Sequence, residues 1–245
     1  MRKKMDIRNK LATQRVWTCC RLATLCLAVV VSACSATQQV PIKQTDIKCG
    51  FLGSDCDRLI AGEPGQAALR YVNPNANWTQ YKKVLIEPVT FWGSDTTKIS
   101  AADQQTLTNF FYQVLREELG KKFEVVEQAG PGVMRVQVAL TDTEAATPGM
   151  RTVSMVVPQA RLLSTLKYAA TGTYAFVGGA QAEGKVTDAE TGQVLAEAMD
   201  KRVGGGSIEA AAQWQWGDAE NAMKAWAAQI ADRLAAWTAG GVKPS

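Results

Sequence analysis

Met134-Arg-Val-Gln-Val-Ala-Leu140 decides the fold. Met134, Val136, Val138 and Leu140 point to one side of an extended chain. Arg135 and Gln137, with Thr141 beyond, point to the other. Alternation with a period of two marks a strand that is buried on one face. Upstream, the period changes. Leu107, Phe110, Phe111, Val114, Leu115 and Leu119 recur at helical spacing. Ser100-Ala-Ala-Asp103 resembles a capping box, with Asp in place of the usual Glu, and Gly120 is the expected stop. A one-faced strand beside an amphipathic helix calls for a shared core, and so for an α+β fold.

Working outward, Lys82-Lys-Val-Leu-Ile-Glu-Pro-Val-Thr-Phe-Trp92 is rich in β-branched and aromatic residues and reads as a strand. Pro88 within it predicts an edge position or a bulge. Phe123–Gln128 reads as a short strand, and Pro131-Gly132 as a turn. Downstream, residues 150–157 are a further strand candidate. Pro158 can open a helix with Leu162, Leu163 and Leu166 as its apolar stripe, ended by Gly172. Tyr174–Val186 and Gln193–Arg202 flank Asp188-Ala-Glu-Thr-Gly192, which predicts a hairpin. Asp218 is the expected cap of a last helix with Ala219, Met223, Trp226, Ile230, Leu234 and Trp237 facing inward. Glu220 and Lys224 form an i,i+4 pair away from that stripe. The expected architecture is a single α+β domain over residues 81–240, a mixed β-sheet with helices packed mainly on one face.

Residues 34–80 lack such periodicity. Ser35 to Gln44 is polar and reads as a flexible tether. Residues 50–78 carry Gly53, Gly62, Pro64, Gly65 and Asn73-Pro74-Asn75, and read as an extended arm.

Residues 1–33 read as a lipoprotein signal peptide. A basic stretch ends at Arg21, the apolar run Leu22–Val31 follows, and Val31-Ser-Ala-Cys34 closes the segment. This resembles a lipobox, whose small residues admit a signal peptidase and whose thiol takes a diacylglyceryl thioether. Several acyl chains on Cys34 would anchor the chain stably, where one would not. The apolar run is about half the ~20 residues a membrane span needs. Met5 offers a second start. Ser35 after the cysteine favours the outer membrane, by resemblance to enterobacterial sorting.

Cleavage before Cys34 changes the charge. The chain has 27 Lys/Arg and 23 Asp/Glu; seven basic residues and one acid precede Cys34, so the remainder holds 20 and 22, near −2. A nucleic-acid partner loses its basic face. There is no histidine, which removes Ser-His-Asp and Cys-His triads and histidine metal sites. No cofactor motif or metal-ligand spacing is present. Val203-Gly-Gly-Gly-Ser207 lacks the lysine of a phosphate loop and reads as a flexible turn. Asp188, Glu190, Asp142 and Glu144 are the acids to weigh for catalysis, but acids in turns are ordinary. Of the six cysteines, Cys49 and Cys56 remain after Cys19, Cys20 and Cys26 leave and Cys34 is lipidated, which predicts a disulfide in an oxidising compartment. Trp226 and Trp237 fit the last helix's core stripe. Trp214 and Trp216 precede it and are candidates for stacking on a ligand or partner.

Gly50-Phe-Leu-Gly-Ser-Asp55, Gly65-Gln-Ala-Ala-Leu-Arg-Tyr-Val-Asn-Pro74 and Tyr81-Lys-Lys-Val-Leu-Ile-Glu-Pro-Val89, with Val156-Val-Pro-Gln159 and Thr191-Gly192, resemble proteobacterial lipoproteins grouped as domain of unknown function 3313. The resemblance spans about residues 49–240. It implies export, lipidation and an envelope location, carries no reaction, and implies that the Cys49–Cys56 bridge is particular to this chain. The expectation is a non-enzymatic lipoprotein on the outer membrane, facing the periplasm, held to the membrane by lipid on Cys34. It would bind an envelope protein or the cell wall. The alternatives are a carboxylate-dependent enzyme acting on envelope glycans or lipids, and a small glycan-binding module.

Overall fold

The computed structural model describes residues 37–42, 47, 49–93, 99–144, 178–204 and 216–240. Nine strands form one mixed sheet among the described residues. They are β1 (Thr37–Gln39), β2 (Ile60–Ala61), β3 (Leu69–Val72), β4 (Lys83–Ile86), β5 (Thr90–Phe91), β6 (Glu124–Val125), β7 (Val133–Glu144), β8 (Gly179–Asp188) and β9 (Val194–Gly204). The helices are α1 (Ala101–Gly120) and α2 (Gly217–Thr238). The spatial order is β2-β3-β9-β8-β7-β4-β6. β7, β8 and β9 run antiparallel, while β4 and β5 lie parallel to β7. The α+β reading with a mixed sheet therefore holds.

The alternation in β7 does what its period dictates. Met134, Val136, Val138 and Leu140 join the main core with Phe111, Leu115 and Leu119 of α1 and Met223, Trp226 and Leu234 of α2. α1 starts where Ser100 caps it: its hydroxyl accepts from the Asp103 backbone N–H at 3.1 Å. Gly120 is the last helical residue rather than the stop, and the cap is Lys121 in right-handed conformation. Pro88 divides the expected long strand into β4 and β5, which share the outer edge of β7. A proline there has no N–H to give to the ladder. Phe123–Gln128 shortens to β6.

The hairpin β8–β9 forms as expected. Asp188 caps its turn, accepting from the backbone N–H of Glu190 at 3.0 Å and of Thr191 at 2.8 Å. Gly192 takes φ +76°, where a side chain would be strained. The cap expected of Asp218 is not formed. Trp216 occupies the N-cap of α2, and Asp218 accepts instead from the Gly178 N–H at 2.8 Å. A Cβ on Gly204 would stand 2.2 Å from that carboxylate, so only glycine fits there.

The main departure concerns residues 34–80. Thr37–Gln39, expected as tether, is a sheet strand that pairs with Arg202–Gly204 of β9. β3 pairs with the same edge of β9 further along, from Leu69↔Met199 to Val72↔Ala196. The sheet thus begins well before Tyr81. β1 shows no apolar alternation because side-chain hydrogen bonds hold it: Thr37 Oγ1 donates to Val203 O at 2.8 Å and Gln39 Nε2 to Gln66 O at 2.8 Å. The arm's Leu52, Cys56 and Leu59 form a second core with Leu69 and Met199. The sheet therefore carries helices on one face and the arm on the other. Residues 150–157 and the helix expected from Pro158 to Gly172, with Leu162, Leu163 and Leu166, lie outside the described residues.

Candidate functional site

On the helix-facing side, β8 and β9 present small residues at alternate positions: Ala182 and Gly184 on one, Ala196 and Ala198 on the other. A helix of large side chains cannot close down fully on such a floor. α2 places Trp226, Ile230 and Leu234 above it, and a cavity of ≈ 160 Å³ remains between helix and sheet. That is about the size of an engineered apolar cavity that admits benzene.

The mouth is polar. Arg70 reaches it from β3, beside Ala198 of β9, and Gln229 and Arg233 reach it from α2. Gln229 Nε2 and Arg233 Nη2 both donate to Gly65 O, at 2.8 and 2.9 Å, and so tie the turn before β3 to α2. Gly65 allows this turn with φ +82°. Asp200, the carboxylate at this end of β9, is buried and already engaged. It accepts from Trp226 Nε1 at 2.6 Å and Ala68 N at 2.8 Å, from Gln39 Nε2, and pairs with Arg202 at 3.2 Å. Arg70 has no such partner: its Nε is shielded from water and makes no hydrogen bond among the described residues. Among the described residues, neither Arg70 nor Arg233 is paired with a carboxylate.

The other face carries a different cluster. Glu183, fully buried, accepts from Gly50 N at 3.1 Å and Leu52 N at 2.7 Å. Glu197 is held by Arg58 at 2.6 Å and Lys185 at 3.2 Å. Lys185 also bonds Asp55, and Arg58 lies over the Tyr71 ring at 4.6 Å. The Lys185 ammonium holds the Asp55 carboxyl below its ordinary value. Burial pushes Lys185 down, but Asp55 and Glu197 outweigh it and raise it. Glu197 raises Arg58 in the same way. Both cations of this cluster are paired with Asp55 and Glu197, Glu183 is met by two backbone N–H groups, and the chemical effect is to fasten the arm to the sheet.

The residues singled out from sequence fall in different places. Cys34 and Trp214 lie outside the described residues. Cys49 and Cys56 are joined by a disulfide, Cα atoms 6.2 Å apart, at the base of the arm. Trp216 is 4% exposed in the main core, so it presents no face to a ligand. Its place is dictated by the start of α2, whose first turn packs inward. Among the described residues, the exposed tryptophan is Trp92, at 51%, in an edge-to-face pair with Phe51, ring centroids 6.0 Å apart. Asp188 serves the hairpin turn and accepts from Tyr81 Oη at 2.9 Å. Burial and that bond push the Tyr81 hydroxyl up to about 12. Asp142 pairs with Lys201 at 3.8 Å; the Glu144 side chain is outside the described residues. Val203 and Gly204 end β9, and residues 205–207 are not described. Sequence reasoning missed Arg70, Gln229 and Arg233. The available signal was the alternation of Ala and Gly in β8 and β9, which leaves room under a helix. Among the described residues, no cluster of three or more His, Cys, Asp or Glu could hold a metal, and no helix is long and apolar enough to cross a membrane.

A comparison with curated protein sequences finds no match. Several solved structures are similar at low identity. A PelC dodecamer from Paraburkholderia phytofirmans is 9% identical over 65% of this chain and 95% of its own, with TM-score 0.35. A DUF330-family protein from Xanthomonas campestris is 10% identical over 70% and 95%, with TM-score 0.36. A neuraminyllactose-binding hemagglutinin homolog from Helicobacter pylori is 11% identical over 67% and 89%, with TM-score 0.30. At these scores the likenesses carry no argument about function. The sequence itself is decisive on kinship: residues 48–230 match the model of the protein family of unknown function DUF3313, and the chain belongs to that family.

Proposed function

We propose that this protein is a non-enzymatic binding module of the cell envelope. It is anchored to the outer membrane by lipid on Cys34, faces the periplasm, and receives an apolar group of an envelope partner in the cleft between α2 and the sheet. One observation carries the reading: the cleft is lined mainly by apolar side chains, and the three acids among its lining residues, Asp200, Glu183 and Glu197, are all consumed by structural hydrogen bonds and ion pairs. A carboxylate-dependent mechanism needs an available carboxylate within reach of a bound substrate. An apolar cavity with a polar rim is the form of a binding site.

Two measurements test it. Cells fed an alkyne analogue of palmitate should label the wild-type protein and leave Cys34→Ala unlabelled; label retained by the variant overturns the anchor. For the cleft, hexan-1-ol should bind the full chain in phosphatidylcholine nanodiscs, with empty discs subtracted. Ala198→Leu, which fills the floor, should abolish that binding. Absence of binding to the wild type overturns the cleft reading.

A further inference from the structure

We infer that the cleft selects amphiphiles with a single anionic head, a carboxylate or a phosphate, seated on Arg70 with its apolar part against Trp226. The inference rests on the cleft reading above and adds the chemistry of the ligand. Three observations lead to it.

The first is Arg70 itself. A guanidinium offers five donors in a planar fork that matches a carboxylate or a phosphate. Folded proteins seldom leave a shielded arginine nitrogen unsatisfied. Arg70 Nε has no hydrogen-bond partner among the described residues, and no carboxylate among them pairs with the side chain. On the opposite face, by contrast, Arg58 and Lys185 are each paired with carboxylates.

The second is the charge balance of the mouth. Arg202 is neutralised by Asp200 at 3.2 Å. Arg233 donates to a neutral carbonyl, Gly65 O, at 2.9 Å, so its positive charge is not cancelled. Arg70 and Arg233 line the same cavity. Two uncompensated cations at one rim favour an anion, and the low dielectric of the apolar wall strengthens the attraction.

The third is the shape. Behind the cations the floor is Ala196, Ala198 and Gly184, and the roof is Trp226, Ile230 and Leu234. A cavity of ≈ 160 Å³ accommodates roughly a ring or a short run of methylene groups. A charged head without an apolar tail would leave it empty, and a tail without a charged head would leave Arg70 unsatisfied.

The test is calorimetric titration of the full chain in phosphatidylcholine nanodiscs with hexanoate, hexyl phosphate, hexan-1-ol and acetate. Hexanoate or hexyl phosphate should bind at least about tenfold more tightly than hexan-1-ol, the increment expected of a charge-assisted hydrogen bond. Which of the two binds better identifies the head. Acetate should bind too weakly to measure. Arg70→Gln should remove the preference for the anion while hexan-1-ol still binds measurably, which reports that the cleft is intact. Arg70→Lys, which keeps the charge and loses the fork, should fall between them. Equal binding of hexanoate, hexyl phosphate and hexan-1-ol to wild type and Arg70→Gln overturns the anion assignment and leaves the apolar cleft standing. Tight binding of acetate overturns the amphiphile. Failure of all four compounds removes both readings.

Discussion

Tyr81 and Asp188 show how single residues join distant parts of the sheet. The phenol donates at 2.9 Å to a carboxylate that also caps the hairpin turn. Burial and the Asp188 bond raise the tyrosine to about 12, above its ordinary value of 10.0. Burial pushes Asp188 up, but the Thr191 N–H and the Tyr81 hydroxyl outweigh it and leave it below 3.8. The two shifts act at opposite ends of the pH scale. A raised tyrosine contributes stability that is complete below 10.0 and is lost as pH climbs through about 12. A lowered carboxyl contributes stability that is complete above 3.8 and is lost as pH falls through its folded value. Urea unfolding of Tyr81→Phe should show a loss of about 1.5 kcal/mol near neutrality, from the missing bond to a charged acceptor. The wild type's decline above pH 10.0 should be weaker in the variant. Parallel declines in the two proteins would remove Tyr81 from the account.

At the scale of elements, the arm is braced within itself by one device and attached to the sheet by two others. The Cys49–Cys56 bridge closes a loop of sequence separation 7. Glu183 accepts two arm N–H groups, and the half-exposed Arg58 pairs with the buried Glu197. Closing so short a loop should stabilise by about 2.5 kcal/mol in the chain-entropy account. A Cys49→Ser/Cys56→Ser double variant should unfold earlier in urea by that amount. Hydrogen exchange should speed up at Gly50 and Leu52, whose N–H groups bond Glu183, and stay slow through β8 and β9. Equal loss of protection in the hairpin would mean that the arm is part of the main cooperative unit. Uniform exchange in both proteins would mean that the bridge restrains nothing that Glu183 does not already hold. The same elements explain what could be read beforehand. α1 and β7 carry clean periods because each buries one face against a single core. β1 and β3 escaped notice because β1 is polar and β3 is only Leu69–Val72.

At the scale of the whole molecule, the charge of the chain depends on where it begins. The full sequence has formal charge +4 and an isoelectric point near 8.7. Removal of residues 1–33 leaves 20 basic and 22 acidic side chains. Isoelectric focusing of the protein from cells should therefore show a mature form below pH 7. A single species near 8.7 would mean that the leader is retained. The cleft belongs to this scale as well. Its floor comes from β8 and β9, its cation from β3 and its roof from α2, and the register that sets Arg70 beside Ala198 joins residues far apart in the chain.

The sequence by itself determined the α+β class, the core faces of α1, β7 and α2, the hairpin around Asp188–Gly192, and membership of the DUF3313 family. Those follow from local periods, turn chemistry and motifs, which act over a few residues. Only the tertiary structure decided that Thr37–Gln39 and Leu69–Val72 complete the sheet, that Trp216 is buried while Trp92 is exposed, and that Arg70, unpaired among the described residues, stands at an apolar cleft. The physical reason is range. A period records which face is apolar, whereas pairing, burial and an unmatched charge depend on which distant segment comes to lie alongside.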